Sequence, residues 1–350
     1  MPDVPHALTS PRHVYVHVPF CARRCSYCDF AIAVRRTVPW RDFVHGIAHE
    51  LDARLGRATG EPITIDTLYF GGGTPSHLGA EGVQALVETL RARFRWNDAA
   101  EVTLEANPED VTHEAVRAWR AAGITRVSLG AQSFDPAVLR WMHRLHDPDT
   151  IDRAIDAIRD GGFDSWSFDL IFAVPSALGR DWQADLHRAL AARPPHLSLY
   201  GLTVEQGTPL GRWVERGDAT PADEDRWADE YLAAHDAAAA AGYDHYEVSN
   251  FARPGHHAVH NRAYWRGVPY LGLGPSAHGF DGERRRWNVA HYAGWLAAVT
   301  QGRDPVAGDE LLDVDARRTE AVYLGLRTSA GLELAPGDEP IVAPWIGQGW

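Results

Sequence analysis

Short apolar runs recur along the chain, separated by stretches whose apolar residues fall three and four apart. HVYVHV (13–18), TLYF (67–70), VTLEA (102–106), RVSLG (126–130), SFDLIF (167–172) and HLSLYGL (196–202) read as strands, with HYEVS (245–249) a candidate seventh. Val83, Leu86, Val87, Leu90 and Phe94 mark one face of an intervening helix, because residues at that spacing share a side of the helix cylinder. An Ala-rich stretch at 232–241 is expected to close a long helix before Gly242. Strand–helix alternation predicts an α/β fold with a parallel sheet and right-handed crossovers, and six or seven such units make an incomplete (β/α) barrel. No repeat or low-complexity linker interrupts the series. The expected division is an N-terminal tail (1–12), a partial (β/α)6 barrel (13–250) and a small, mostly helical C-terminal region (251–350).

A barrel of this kind collects its chemistry where strands end. Cys21 follows the first strand, Gly71 to Thr74 the second and Gln132 the fourth, while Glu105 lies near the end of the third and Asp169 within the fifth. The 350 residues suit one large α/β domain with a smaller appendage. A net charge of −13 disfavours a nucleic-acid partner, which requires a basic face for phosphates. The N-terminal MPDVPHALTSPRH lacks an apolar signal core, and no run approaches the ~20 apolar residues of a membrane span, so a cytoplasmic protein without membrane insertion is expected.

All three cysteines fall within eight residues, Cys21, Cys25 and Cys28, in a CxxxCxxC pattern. An odd number without a secretory signal argues for reduced thiols. Thiolates suit zinc and iron–sulfur clusters alike. A closed zinc site needs a fourth ligand such as His17 or Asp29, and the spacing is not that of paired zinc-ribbon motifs. The alternative is a [4Fe-4S] cluster with three protein ligands and one iron left open. The FGGGTPS segment (70–76) places glycines directly after a strand, which permits close backbone approach to a ligand; a plain turn also accounts for them. No GK[ST] follows, so it is not a P-loop. GLGPSAHG (272–279) carries a proline and lacks dinucleotide-loop spacing, and is set aside.

The cysteine triad, with Tyr27 just before its last member, resembles the signature of the radical S-adenosylmethionine (SAM) superfamily, and FGGGTPS resembles that family's SAM-binding GGGTP loop. TLEANPED, SLGAQSFD and SFDLIF further resemble runs of the coproporphyrinogen-oxidase-like branch. The resemblance implies a radical SAM barrel with a [4Fe-4S] cluster on Cys21, Cys25 and Cys28. It implies SAM contacts at Tyr15, Tyr27, Gly72, Gly73, Thr74, Glu105, Gln132, Asp169 and Arg144, the last on the helix after the fourth strand. One departure is visible: AVPSAL (173–178) stands where the family has GLPGQT. The likeness covers about residues 13–330, and relatives usually continue into a winged-helix-like C-terminal domain, so the tail reads as shortened.

Two functions divide this branch. One is the oxygen-independent coproporphyrinogen III dehydrogenase, a radical decarboxylase whose motif continues past the third cysteine with a glycine and a fourth cysteine. The other is a group of heme chaperones, carriers that pass heme to acceptor apo-proteins of respiration. This chain continues with Asp29 and Phe30, as the chaperones do, and HNRAYW (260–265) resembles the chaperones' HNxxYW run. Imidazole is a common axial ligand of heme iron, so His260 is the expected heme contact, with His256, His257 and His278 as alternates. The resemblance thus implies heme as cargo, an electron donor, and SAM and cluster in a regulatory or redox role.

Overall fold

The alternating N-terminal run becomes the strand about which the sheet is laid. In the computed structural model, which describes residues 11–56, 62–334 and 337–347, β1 (His13–Val18) buries Val14, Val16 and Val18 completely. A short parallel pair follows, β2 (Phe20–Cys21) with β3 (Ala33–Val34). Then come β4 (Ile63–Gly72), β5 (Phe94–Ala106), β6 (Arg126–Gln132), β7 (Ser165–Phe172) and β8 (His196–Gly201). The series continues with β9 (Asp244–Glu247), β10 (Asn250–Ala252), β11 (Leu271–Leu273), β12 (His278–Phe280), β13 (Arg284–Asn288) and β14 (Val306–Leu311).

Nine strands form one sheet in the order β11-β1-β4-β5-β6-β7-β8-β10-β9. Every pairing from β11 through β8 is parallel, whereas β10 and β9 run antiparallel. The sheet therefore ends at two edges, as an incomplete barrel does. Helices between the parallel strands cover it, beginning after N-cap groups that the sequence supplies. Thr112, Asp147, Asp181 and Asp223 each accept a backbone N–H three residues on, occupying donors that a first turn leaves unpaired. Phe20, Phe43, Phe70, Phe168 and Trp119 fill the space between helices and sheet.

Several expectations are met and three are displaced. The six parallel strands lie where the apolar runs place them, and the Ala-rich stretch ends the helix Glu224–Ala240 ahead of Gly242, whose φ is +80°. Phe94 belongs to β5, because the preceding helix stops at Arg91. HYEVS is not a seventh parallel strand: its residues enter the antiparallel β9–β10 hairpin. The seventh parallel strand is β11, from the set-aside GLGPSAHG region, and it docks on the free side of β1.

The C-terminal region adds an antiparallel sheet, β12-β13-β14, to its helices, and no physical break separates it from the barrel. Glu50, fully buried in the helix Trp40–Leu55, accepts hydrogen bonds from Gly274 N (2.8 Å), Asn288 Nδ2 (2.7 Å) and Trp295 Nε1 (2.9 Å). Arg54 balances its charge at 3.2 Å. Burial raises the Glu50 carboxyl, and these donors and the cation offset that. No helix among the described residues is long and apolar enough to cross a membrane.

Candidate functional site

Parallel strands in register bring their ends to one level, and the residues there enclose a cavity of about 520 Å³. Cys21 closes β2, and the loop after it returns Cys25 and Cys28 to the same cavity. Cys21 is buried and its Sγ accepts from the Thr74 hydroxyl at 3.4 Å; Cys25 Sγ accepts from Arg144 Nη1 at 3.4 Å. None of the three is in a disulfide. Burial pushes the Cys21 thiol up to about 12 and raises Cys28 as well, so these thiols stay protonated until a metal takes the proton's place. Among the described residues no three His, Cys, Asp or Glu side chains are gathered tightly enough for a single metal ion. Three soft donors spread around a roomy cavity fit the several corners of an iron–sulfur cluster better than one zinc ion. His17 offers zinc no fourth ligand, since Nδ1 faces the Tyr15 hydroxyl (3.1 Å) and Nε2 the Ala31 carbonyl (3.0 Å).

Opposite the cysteines the wall is acidic and strained. Glu105, at the end of β5, accepts from the Tyr69 hydroxyl (2.8 Å) and from Gly72 N–H (3.1 Å), and burial raises it to about 7. Asp169 on β7 accepts from the Ser128 hydroxyl, 3.1 Å from both carboxylate oxygens, and burial raises it to about 6. Register explains these neighbours: Ser128 sits beside Glu105 across β5–β6 and beside Ser167 across β6–β7. Gln132 lines the cavity at φ +67°, a left-handed conformation costing a non-glycine residue about 1–3 kcal/mol and common at ligand sites. Gly72 has φ +109°, and a Cβ on Gly73 would stand 2.8 Å from the Pro19 carbonyl, so this loop needs its glycines.

Arg144 reaches the cavity differently from expectation. The helix after β6 ends at Trp141, and His143 at φ +61° turns the chain inward, so Arg144 lies in a loop and not on the helix. Its Nη2 donates to Asn107 Oδ1 (2.6 Å) and to the Gly130 carbonyl (2.8 Å), while its Nε has no hydrogen-bond partner among the described residues. Burial alone lowers this guanidinium, but Tyr27, Cys25 and Glu109 around it raise it overall.

The cavity thus unites Cys21, Cys25, Cys28, Tyr27, Gly72, Gly73, Thr74, Glu105, Gln132, Arg144 and Asp169. Tyr15 faces an adjoining cavity of about 400 Å³ that shares Gly72, Glu105, Asp29 and Phe30 with the first. His260 lines neither. It is 1% exposed, its Nδ1 lies 2.7 Å from the Thr67 hydroxyl and its Nε2 lies 2.9 Å from the Tyr264 hydroxyl. Burial lowers it to about 3. With both ring nitrogens engaged, His260 ties the helix Val259–Trp265 to β4. Asn107 and Ser128, which hold Arg144 and Asp169, were not singled out from sequence, although both lie inside the quoted runs.

Residues 15–189 match the radical SAM superfamily. The heme chaperone HemW of Mycobacterium tuberculosis is 42% identical over 331 residues, covering 93% of this chain and 84% of the relative. The Escherichia coli protein of the same description is 37% identical over 270 residues, covering 77% and 70%. The solved structure of coproporphyrinogen III oxidase (HemN) from Escherichia coli, a radical SAM enzyme, superposes with a TM-score of 0.79 over 97% of this chain and 80% of its own. At 24% identity that likeness bears on the fold.

Proposed function

The chain belongs to the radical SAM superfamily, in its coproporphyrinogen III oxidase-like branch among relatives of the heme chaperone HemW, and we propose that it is itself a heme chaperone. It binds heme, hands it to acceptor apo-proteins of respiration in the cytoplasm, and keeps a [4Fe-4S] cluster and an exchangeable SAM beside the cargo. The observation that carries this reading is the continuation of the cysteine motif. Asp29 and Phe30 follow Cys28, the chain has no fourth cysteine, and Phe30 stands 60% exposed at the cavity wall.

A [4Fe-4S] cluster would supply single-electron chemistry to SAM. Cys21, Cys25 and Cys28 would hold it, and the Arg144–Cys25 hydrogen bond would withdraw charge from one of those sulfurs, a lever on reduction potential. Glu105 and Asp169 present two carboxylates to a ligand carrying an ammonium and a sulfonium, and either charge favours their ionised forms. Gly72 and Gly73 admit the ligand close to the backbone. An electron donor would be needed to reduce a bound cluster.

One feature favours the enzyme as a second reading: the residues proposed to hold SAM, Tyr15 excepted, line one cavity with the three cysteines. An anaerobic heme titration of the reconstituted protein, followed by incubation of the same sample with coproporphyrinogen III, SAM and a reductant, separates the two. Stoichiometric heme uptake without decarboxylation is expected. Formation of the decarboxylated product refutes the carrier reading.

A further inference from the structure

The cation beside Cys25 is held by more than its own hydrogen bonds. Arg144 Nη2 donates to Asn107 Oδ1 (2.6 Å), and Asn107 Nδ2 in turn donates to Glu109 Oε1 (3.3 Å). The other carboxylate oxygen of Glu109, Oε2, lies 3.1 Å from His146 Nδ1, and His146 Nε2 lies 3.1 Å from the Ala131 carbonyl. A line of side chains thus runs from the sulfur of Cys25 through Arg144, Asn107 and Glu109 to His146, which lines neither cavity.

The setting of this histidine differs from that of His260. His260 lies between two hydroxyls, each able to give or take a proton. His146 lies between a carboxylate and a backbone carbonyl, which only accept, so both ring nitrogens donate and the ring carries a proton on each. Glu109 suits that role: burial alone raises its carboxyl, but the His146 hydrogen bond and Arg144 hold it below the usual carboxylate range. The neighbouring Asp110 is bonded by the Ser76 hydroxyl instead (2.7 Å). The His146 side chain is fully buried, and a buried cation between two acceptors fixes their separation, because moving either one leaves charge without a partner. Those acceptors belong to different strand ends. Glu109 sits in the short turn Pro108–Asp110 after β5, and Ala131 sits in β6 where the register with β7 slips, one residue before the left-handed Gln132.

We propose that His146 is a positioning residue for the cluster and SAM site: through Glu109 and Asn107 it holds the Arg144 guanidinium against Cys25 Sγ, and through Ala131 it holds the backbone that presents Gln132. This rests on the radical SAM reading of the cavity and adds to it a residue behind the cavity wall. His146 touches neither cysteine nor ligand. Its effect falls on the charge given to one sulfur, and donation from a cation to a ligating sulfur favours the reduced form of a bound cluster.

The test reconstitutes the full chain and its H146Q, N107A, R144A and H146Q/R144A variants, and reads iron and sulfide content, the midpoint potential of the cluster, and SAM affinity. All should take up the cluster, since the three cysteines are untouched. H146Q should lower the midpoint potential, by up to the about 59 mV that a tenfold change in a one-electron equilibrium represents. It should also weaken SAM binding by about tenfold, the lower end of what partners that orient a metal ligand contribute. N107A, which cuts the line of bonds without changing charge, should shift both readings in the same direction. In the R144A background H146Q should shift the potential no further, because the guanidinium it positions is gone. An equal shift in that background would mean that the imidazolium acts through space, and the positioning role falls. Wild-type potential and SAM affinity in H146Q and N107A also overturn it, and N107A decides alone if H146Q does not fold. If wild type itself takes up neither cluster nor SAM, the reading of the cavity falls and this inference with it.

Discussion

Replacing Glu105 by Gln should stabilise the protein at high pH and destabilise it at low pH. In the fold this carboxyl is raised from 4.5 to about 7, chiefly by burial. At 1.36 kcal/mol per pH unit the shift corresponds to about 3 kcal/mol, an upper bound because water in the cavity screens the ionised group. Since the folded protein holds this proton more tightly than the unfolded chain, the associated stability is complete below pH 4.5 and is lost as pH rises through about 7. A glutamine never ionises and escapes that loss. Its carbonyl keeps the Tyr69 hydroxyl (2.8 Å), but its amide then faces Gly72 N–H, donor against donor, costing about 1 kcal/mol. The variant should therefore be less stable than wild type by about 1 kcal/mol at pH 5 and more stable by up to about 2 kcal/mol at pH 8.5, with the order reversing between. Urea midpoints of the SAM-free proteins across this range read the difference. The same variant should bind SAM more weakly, and the gain in wild-type SAM affinity expected from pH 6 to 8, as Glu105 ionises, should flatten. Stability curves that stay parallel in pH would show that the carboxyl is not raised by its surroundings. SAM affinity indifferent to the substitution would remove Glu105 from the binding site.

Other perturbations probe separate parts of the site. Cys25→Ser should abolish the iron–sulfur absorbance after reconstitution, because a hydroxyl is a poor ligand for soft metals; a full cluster in that variant contradicts the ligand set. Ala173 adopts φ +56°, a left-handed conformation that favours glycine, so Ala173→Gly should raise stability by about 1 kcal/mol, measured as a denaturation midpoint. A loss instead would mean that the bond from Ala173 N–H to Glu230 Oε2 (2.7 Å) depends on the alanine conformation. His260→Ala should cost about 3 kcal/mol through two lost buried hydrogen bonds and a cavity, read from the same midpoint. An unchanged midpoint would show that the ring does not tie its helix to β4.

Why some of this was visible in the sequence and some was not follows from how each part is built. The parallel strands announce themselves because both faces are covered, giving near-continuous apolar runs such as SFDLIF, and because several deliver a polar residue to the cavity at or near their ends. The cysteines and glycines are legible for a similar reason: their chemistry depends on short, fixed spacings that survive without any knowledge of tertiary contacts. β11 is the opposite case. Three residues at a sheet edge carry no period, and their identity as a strand comes from β1 on one side and from Glu50 beneath the following loop, both more than 200 positions away in sequence. The same distance hid the surroundings of the histidines. HNRAYW pointed to His260 by local pattern, but whether an imidazole is free depends on what meets its nitrogens, and Thr67 meets one of them from β4. His278 lay inside a segment set aside for failing to be a nucleotide loop, when its glycines were serving another end: Gly272 and Gly274 let the chain pass against the His278 carbonyl and the His17 backbone closely enough to carry the ring to the cavity edge. A glycine pattern that fails one ligand's geometry is still a statement about close approach, and here the thing approached is the protein's own backbone beside the site.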